Sequence, residues 1–500
     1  MRVRLLFPDR DFDPAVPLPP WAREVIRDLR LDPVFDAMAA EDPYLRELVP
    51  KVALAGLADP DAIRYRQEVF LDCLAHADVL EGMRALALRA LAAERELWGF
   101  GDSPSSVLYR ATRLLDQLLP TLRALRALGG AHCAEFRSRG MQRLLDELLR
   151  EIDAPFFAEA EAERAELELP RGELVSARLG PGNKGEDYVL HRGPVERSGW
   201  WRRAWPRRRS ELTFEVDDDD ETGHRALAQL KDRGLAASAR AVADANAHVL
   251  TYLDGLRAEL GFYLAVRTLT ARLAALGAPF VRPEPRPTAE NALAADGLYD
   301  LGLALTSPRP VVPNDVRADG RPLLVVSGPN QGGKTTFLRS LGIAFLLMQC
   351  GSWVPARRWV ASVPTVLRTH FKREEDPALR GGKLNEELER MSATVEALRA
   401  GGLLLANESF ASTSEREGSL LADGVTRGLL DGGVRVVYVT HLYDLTRRLY
   451  REEAERGLFL RAERAPDGAR TFRVLPAPPL STSFAVDLYR QVFGDPGAPE

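Results

Sequence analysis

The stretch LLVVSGPNQGGKTTFLR, residues 323–339, decides how the second half of this chain folds. An apolar run, Leu323–Val326, ends in a glycine-bounded loop. The loop closes with Gly333-Lys334-Thr335, and Phe337-Leu338 open a helix-like apolar pattern. Strand, glycine-rich loop and helix in that order form the Walker A arrangement. Its loop N–H groups and the following helix N-terminus make a nest for phosphate oxygens. A lysine at 334 reaches the β- and γ-phosphates of a nucleoside triphosphate, and a hydroxyl at 335 ligates Mg²⁺. Gly328, Pro329, Asn330, Gln331, Gly332, Gly333, Lys334, Thr335 and Thr336 are therefore the candidate ATP-binding residues.

Phosphate chemistry needs a second strand that ends in acids. LLLANE, residues 403–408, is an apolar strand presenting Asn407 and Glu408 at its end. The first of these positions ordinarily carries an Asp that holds the Mg²⁺ shell. The second carries a Glu that acts as general base on water. Asn407 is neutral, which weakens the metal position, whereas Glu408 can polarise water. A third apolar strand, Val434–Val439, ends in Thr440-His441. Ligands of open α/β sheets sit at that edge, so His441 is read as a γ-phosphate sensor. Lys334, Glu408 and His441 are the candidate catalytic residues, and Thr335 and Asn407 the candidate Mg²⁺ residues.

The rest of the chain sets the frame. Five hundred residues exceed one ordinary core, so two to four domains are expected. Net charge is −5, with 45% apolar and 28% charged residues, so any nucleic-acid surface must be a local patch. Cys73, Cys133 and Cys350 are far apart and odd in number, which excludes a CxxC zinc framework and points to a reducing, cytoplasmic compartment. The N-terminus has no secretory pattern, and no apolar run is long enough to span a membrane.

Residues 1–20 are Pro-rich and read as an irregular arm. Residues 21–280 read as a helical domain, with segments such as MQRLLDELLREI (141–152) at i, i+3, i+4, i+7 spacing. Within it, 171–223 reads as a small β insertion with strands at Glu173–Arg178, Tyr188–His191 and Leu212–Val216 and a turn at PGNKG. The Pro-rich 281–290 reads as a linker, and 291–500 as the α/β P-loop domain.

In the insertion, RSGWWRRAWPRRR (197–209) carries six arginines and three tryptophans in thirteen residues. Arginine neutralises phosphates and indole stacks on bases, so Arg202, Arg203, Arg207, Arg208 and Arg209 are candidate DNA contacts. Two other readings stand beside it: a solvated basic loop paired with the acidic run Asp217–Glu221, and a loop that lies on a membrane surface.

Taken together, the spacings resemble the ATPase domain of the MutS DNA mismatch-repair family. GPNQGGKTTFLR is similar to the family's GPN-x-GGK-[ST], VPND (312–315) to its FVPND, and GSWVPA (351–356) to its G-x-[FY]-VPA. NESFASTSEREG (407–418) resembles DE-x-GRGTS-x-x-DG, Val439-Thr440-His441 the family's ATH, and Ser481–Val492 its SY-x-x-x-VA segment. DPDAIRYRQEVFLDCL (59–74) looks like the entry to the MutS core domain, with the helices around 225–275 as levers. The resemblance implies a dimeric, ATP- and Mg²⁺-using protein that binds DNA, with Ser412, Thr413, Ser414, Gly382 and Lys383 at the interface facing a partner's nucleotide.

Two departures qualify that implication. Asn407 and the missing hydroxyl in LRGGKLNEELERM (379–391), where Lys383 stands in its place, imply slow hydrolysis. The alternative is a nucleotide-gated scaffold with negligible turnover. The chain also offers no room for the family's N-terminal mismatch-reading domains, and Phe157-Ala158-Glu159 lies in an acidic helical stretch and reads as coincidence. A transporter ATPase would need an LSGGQ-like signature, which is absent.

Overall fold

The computed structural model describes residues 1–97, 101–169, 174–183, 185–191, 217, 219–373, 382–465 and 469–479. Two compact units are present. The first comprises Met1–Val3, Asp78–Phe136 and Met141–Leu260, the second Arg4–Ala77, Arg137–Gly140 and Gly261–Glu500. The expected linker at 281–290 lies inside the second unit.

Among the described residues, the first unit is helical apart from one hairpin. Its helix Pro104–His132 starts on a Ser103 cap whose hydroxyl accepts from Ser106 N–H at 3.3 Å, with Pro104 in the first turn where a missing N–H costs nothing. Leu114, Leu118, Leu122 and Leu125 form its buried stripe. Gly129 lets a neighbouring helix close in, since a Cβ there would lie 3.0 Å from Leu145 Cδ2. Phe157 is buried on the helix Ala154–Leu167. The hairpin pairs Leu174–Leu179 with Gly185–His191 antiparallel, and Gly182 at φ 70° turns the chain between them. Its second strand is longer than the expected Tyr188–His191. Leu212–Val216 and the arginine-rich 197–209 lie outside the described residues.

Among its described residues, the second unit holds two sheets. In the larger one, six strands are numbered here in chain order: β1 Leu323–Ser327, β2 Leu367–Phe371, β3 Leu403–Asn407, β4 Arg435–Val439, β5 Gly457–Arg464 and β6 Arg470–Pro476. Their spatial order is β6-β5-β1-β4-β3-β2, all parallel except the edge strand β6. β1 and β4 are buried along their whole length and β3 at all but its last residue. Such strands are covered on both faces, which explains their unbroken apolar runs. Helices α1 (Lys334–Gln349), α2 (Lys383–Ala397), α3 (Glu415–Asp431) and α4 (Tyr443–Glu452) complete the layers. α1 is buried almost all round, as an interior helix must be. At Gly342 a Cβ would sit 2.7 Å from both Leu29 Cδ2 and Leu405 Cδ1, so the helix lies directly on its neighbours.

The smaller sheet corrects one expectation. The Pro-rich stretch at 281–290 carries the strand Glu284–Arg286, which pairs in parallel with Arg358–Ser362. It is an edge strand, the position where a proline's missing donor is tolerated. The strands Leu293–Leu298 and Asn314–Arg317 complete this sheet. The N-terminal segment also differs from a free arm. It has no helix or strand before Ala22, yet Leu5 and Leu6 are fully buried. Its carbonyls are held too: Tyr65 Oη donates to Arg4 O and Tyr263 Oη to Leu5 O, each at 2.7 Å. Among the described residues, no helix is long and apolar enough to cross a membrane.

Candidate functional site

Strand register places the candidate residues side by side. Val439 of β4 pairs with Val326 of β1 on one side and Asn407 of β3 on the other, and Asn407 pairs in turn with Phe371 of β2. These four residues form one row at the carboxyl edge of the sheet. The loop 328–333, Glu408, Thr440-His441 and Lys372 follow directly after that row.

The loop after β1 is shaped by glycine. Gly328 has φ 115° and Gly333 φ 91°, while Gln331 adopts a left-handed φ of 59°. A Cβ on Gly332 would stand 2.8 Å from Ala462 Cβ and 2.9 Å from Pro329 O, so the loop lies flat against β5. α1 begins at Lys334 with no side-chain cap, which leaves its first N–H groups for a ligand. Lys334 is only 5% exposed, and its Nζ donates to Gly328 O at 2.9 Å and Pro329 O at 3.0 Å. Burial pushes its pKa down, and the Glu408 charge opposes that shift. Thr335 Oγ1 donates to Asn407 Oδ1 at 3.1 Å, which joins the two residues read as the metal position.

Glu408 follows with a left-handed φ of 53°, its N–H donating to Val439 O at 2.8 Å. Its carboxylate lies 3.5 Å from His441 Nδ1. The His441 contact holds the Glu408 carboxyl below the usual carboxylate range. Burial works the other way, and Lys334 and Lys372 add to the lowering.

The turn beyond Glu408 is fastened from three elements. Glu387 of α2, 4% exposed, accepts from Phe410 N–H at 2.5 Å and from Ser412 Oγ. Tyr438 Oη of β4 donates to Ser409 O at 2.8 Å. His370 of β2 lies with Nδ1 2.7 Å from Ser409 Oγ, which itself donates to His370 O at 3.0 Å. Nε2 is buried with no hydrogen-bond partner, and burial drives the His370 pKa down to about 3. Sequence reading missed His370, Ser409 and Tyr438. His370 and Tyr438 sit inside apolar strands and carry no motif, and Ser409 fills an unspecified position of the stretch NESFASTSEREG.

Asn330–Thr336 and Glu408 line a cavity of about 610 Å³ together with Phe472, Asn314 and the loop Arg309–Val312. Phe472 has φ 60° in an irregular stretch of β6 and closes the side facing Gly333. Asn314 anchors it: its Nδ2 donates to Phe472 O at 3.3 Å and its Oδ1 accepts from Val474 N–H at 2.7 Å.

The remaining sequence candidates lie apart from the cavity. Ser412 is tied to Glu387. Thr413 Oγ1 donates to Glu417 at 2.7 Å, and Ser414 caps α3. Gly382 is the N-cap residue of α2 and Lys383 its first residue. Among the described residues, no group of three or more His, Cys, Asp or Glu could hold a metal ion. Arg202, Arg203, Arg207, Arg208, Arg209 and Ser481–Val492 lie outside the described residues.

Fold and geometry together define an α/β domain with a candidate ligand cavity at the carboxyl edge of a parallel sheet. Comparison with known proteins makes this specific. The model for MutS domain V matches residues 324–488, and that for the MutS2 N-terminal domain matches residues 58–276. A DNA mismatch repair protein MutS from Nitratidesulfovibrio vulgaris is 32% identical over 212 residues, which is 41% of this chain and 22% of that protein. The one from Sorangium cellulosum is 29% identical over 295 residues, covering 56% and 32%. The one from Natronomonas pharaonis is 28% identical over 274 residues, covering 52% and 29%. Across these two matched stretches the chain is a MutS-family protein. It spans between 22% and 32% of the length of these relatives.

Proposed function

We propose that this chain is a cytoplasmic, homodimeric ATPase of MutS type that couples nucleotide binding and slow hydrolysis to conformational change on DNA. The observation that carries the reading is the convergence of Lys334, Thr335, Asn407, Glu408 and His441 on one sheet edge beside a cavity of about 610 Å³. Gly328–Thr336 cradle the phosphates, and Lys334 leaves its loop carbonyls for a γ-phosphate. Glu408, ionised at neutral pH, takes a proton from the attacking water, and His441 orients that water or the phosphate. The loop's glycines let it close on Ala462 of β5, where a Cβ would clash, and so set the curvature that turns its N–H groups to a phosphate. Mg²⁺, when bound, neutralises phosphate charge, and Thr335 and Asn407 are the residues beside it. Gly382, Lys383 and Ser412–Ser414 face a partner subunit, and the arginines of 197–209 contact DNA.

ATP binding and turnover measured in the native chain and in Lys334→Ala test the site. Unchanged binding and turnover in the variant exclude it. A second reading, a nucleotide-gated scaffold without turnover, is favoured by the neutral Asn407. Single-turnover hydrolysis separates the two: a rate that collapses in Glu408→Ala supports the enzyme, and background rates in both chains support the scaffold.

A further inference from the structure

The cavity is equipped for phosphates, but an amide, Asn407, stands where a metal-holding carboxylate is usual, and we infer that this chain binds its nucleoside triphosphate with little dependence on a divalent cation. The inference rests on the cavity being a triphosphate site. In phosphate-transfer sites Mg²⁺ is ordinarily held by one or two carboxylates together with substrate phosphates. Here the protein oxygens at that position are a hydroxyl and an amide, Thr335 Oγ1 and Asn407 Oδ1, neutral and hydrogen-bonded to each other at 3.1 Å. The adjacent carboxylate, Glu408, points at His441 Nδ1 3.5 Å away.

Two lysines stand close enough to the neighbouring Glu408 for their charges to act on it. Lys334 is buried in the loop. Lys372 follows Phe371 directly, and its N–H donates to Asn407 O at 2.9 Å. Lys372 and Glu408 therefore leave adjacent strands at the same level, about 5 Å apart in backbone. An amide where a carboxylate is usual and a lysine one strand away both move the local charge towards positive. The free tetra-anionic nucleotide gains from that directly. Its Mg²⁺ complex carries less charge and finds at Asn407 no carboxylate to reward the ion.

Equilibrium binding of a fluorescent, non-hydrolysable ATP analogue to the full chain, in Mg²⁺ and in excess EDTA, tests this. The expected result is a Kd in EDTA within about threefold of that in Mg²⁺. In Asn407→Asp, which restores a carboxylate, chelation weakens binding by about tenfold or more. A native chain that loses about tenfold on chelation overturns the inference. Metal-independent binding in Asn407→Asp overturns its assignment to the amide. No binding in either buffer, with Lys334→Ala indistinguishable from the native chain, overturns the triphosphate site itself.

Discussion

Glu387 shows how much one buried carboxylate can hold. It satisfies the Phe410 N–H and the Ser412 hydroxyl of a turn that contains two left-handed non-glycine residues, Glu408 and Phe410. Glu387→Ala strands that buried N–H, and the expected loss of unfolding free energy is about 1–3 kcal/mol, measured by urea denaturation. Glu387→Gln, which keeps an acceptor, should lose less. His370 sets a pH dependence. Its folded pKa of about 3 lies below the ordinary 6.5, so below pH 6.5 the unfolded chain binds the proton that the native chain refuses. The contribution of neutral His370 is full above pH 6.5 and declines as pH falls towards 3, by at most about 1.4 kcal/mol per pH unit. Urea midpoints across this range should fall more steeply in the native chain than in His370→Gln. Arg390 and Arg373, whose charges also oppose protonation, are present in both chains.

At the scale of elements, the continuous apolar runs of β1, β3 and β4 were legible because strands buried on both faces have no polar side to interrupt the pattern. The register among them follows from parallel pairing, and it turns three separate motifs into one edge. Glu284–Arg286 was not legible, because three residues with a central proline carry no period. Close packing of α1 yields a sharp expectation. Gly342→Val forces a branched side chain against Leu29 and Leu405 and should cost about 1–3 kcal/mol or more in thermal or urea unfolding. Gly332→Val acts locally instead, pushing the loop off Ala462. It should abolish nucleotide binding in an equilibrium titration while the far-UV circular dichroism stays unchanged.

For the whole molecule, the proposed DNA contact predicts a strongly salt-dependent affinity, because arginines that neutralise phosphates release counterions. Binding to duplex, branched and single-stranded DNA and to RNA, with and without ATP, should weaken steeply between about 50 and 200 mM salt. No salt-sensitive binding to any of them removes the nucleic-acid part of the proposal. The amino-acid sequence by itself determined the local chemistry: a glycine loop with Lys334 and Thr335, strands that present Asn407, Glu408 and His441, and the neutral amide where a carboxylate is usual. Each of these is written in contiguous residues, where spacing and apolar period carry the signal. Tertiary structure alone decided that Thr335 meets Asn407, that His370, Glu387 and Tyr438 fasten the turn after Glu408, and that Arg4–Ala77 belong to the unit built on the parallel sheet. Those contacts join residues far apart in the chain, and the burial that makes them costly to lose exists only once the layers have packed.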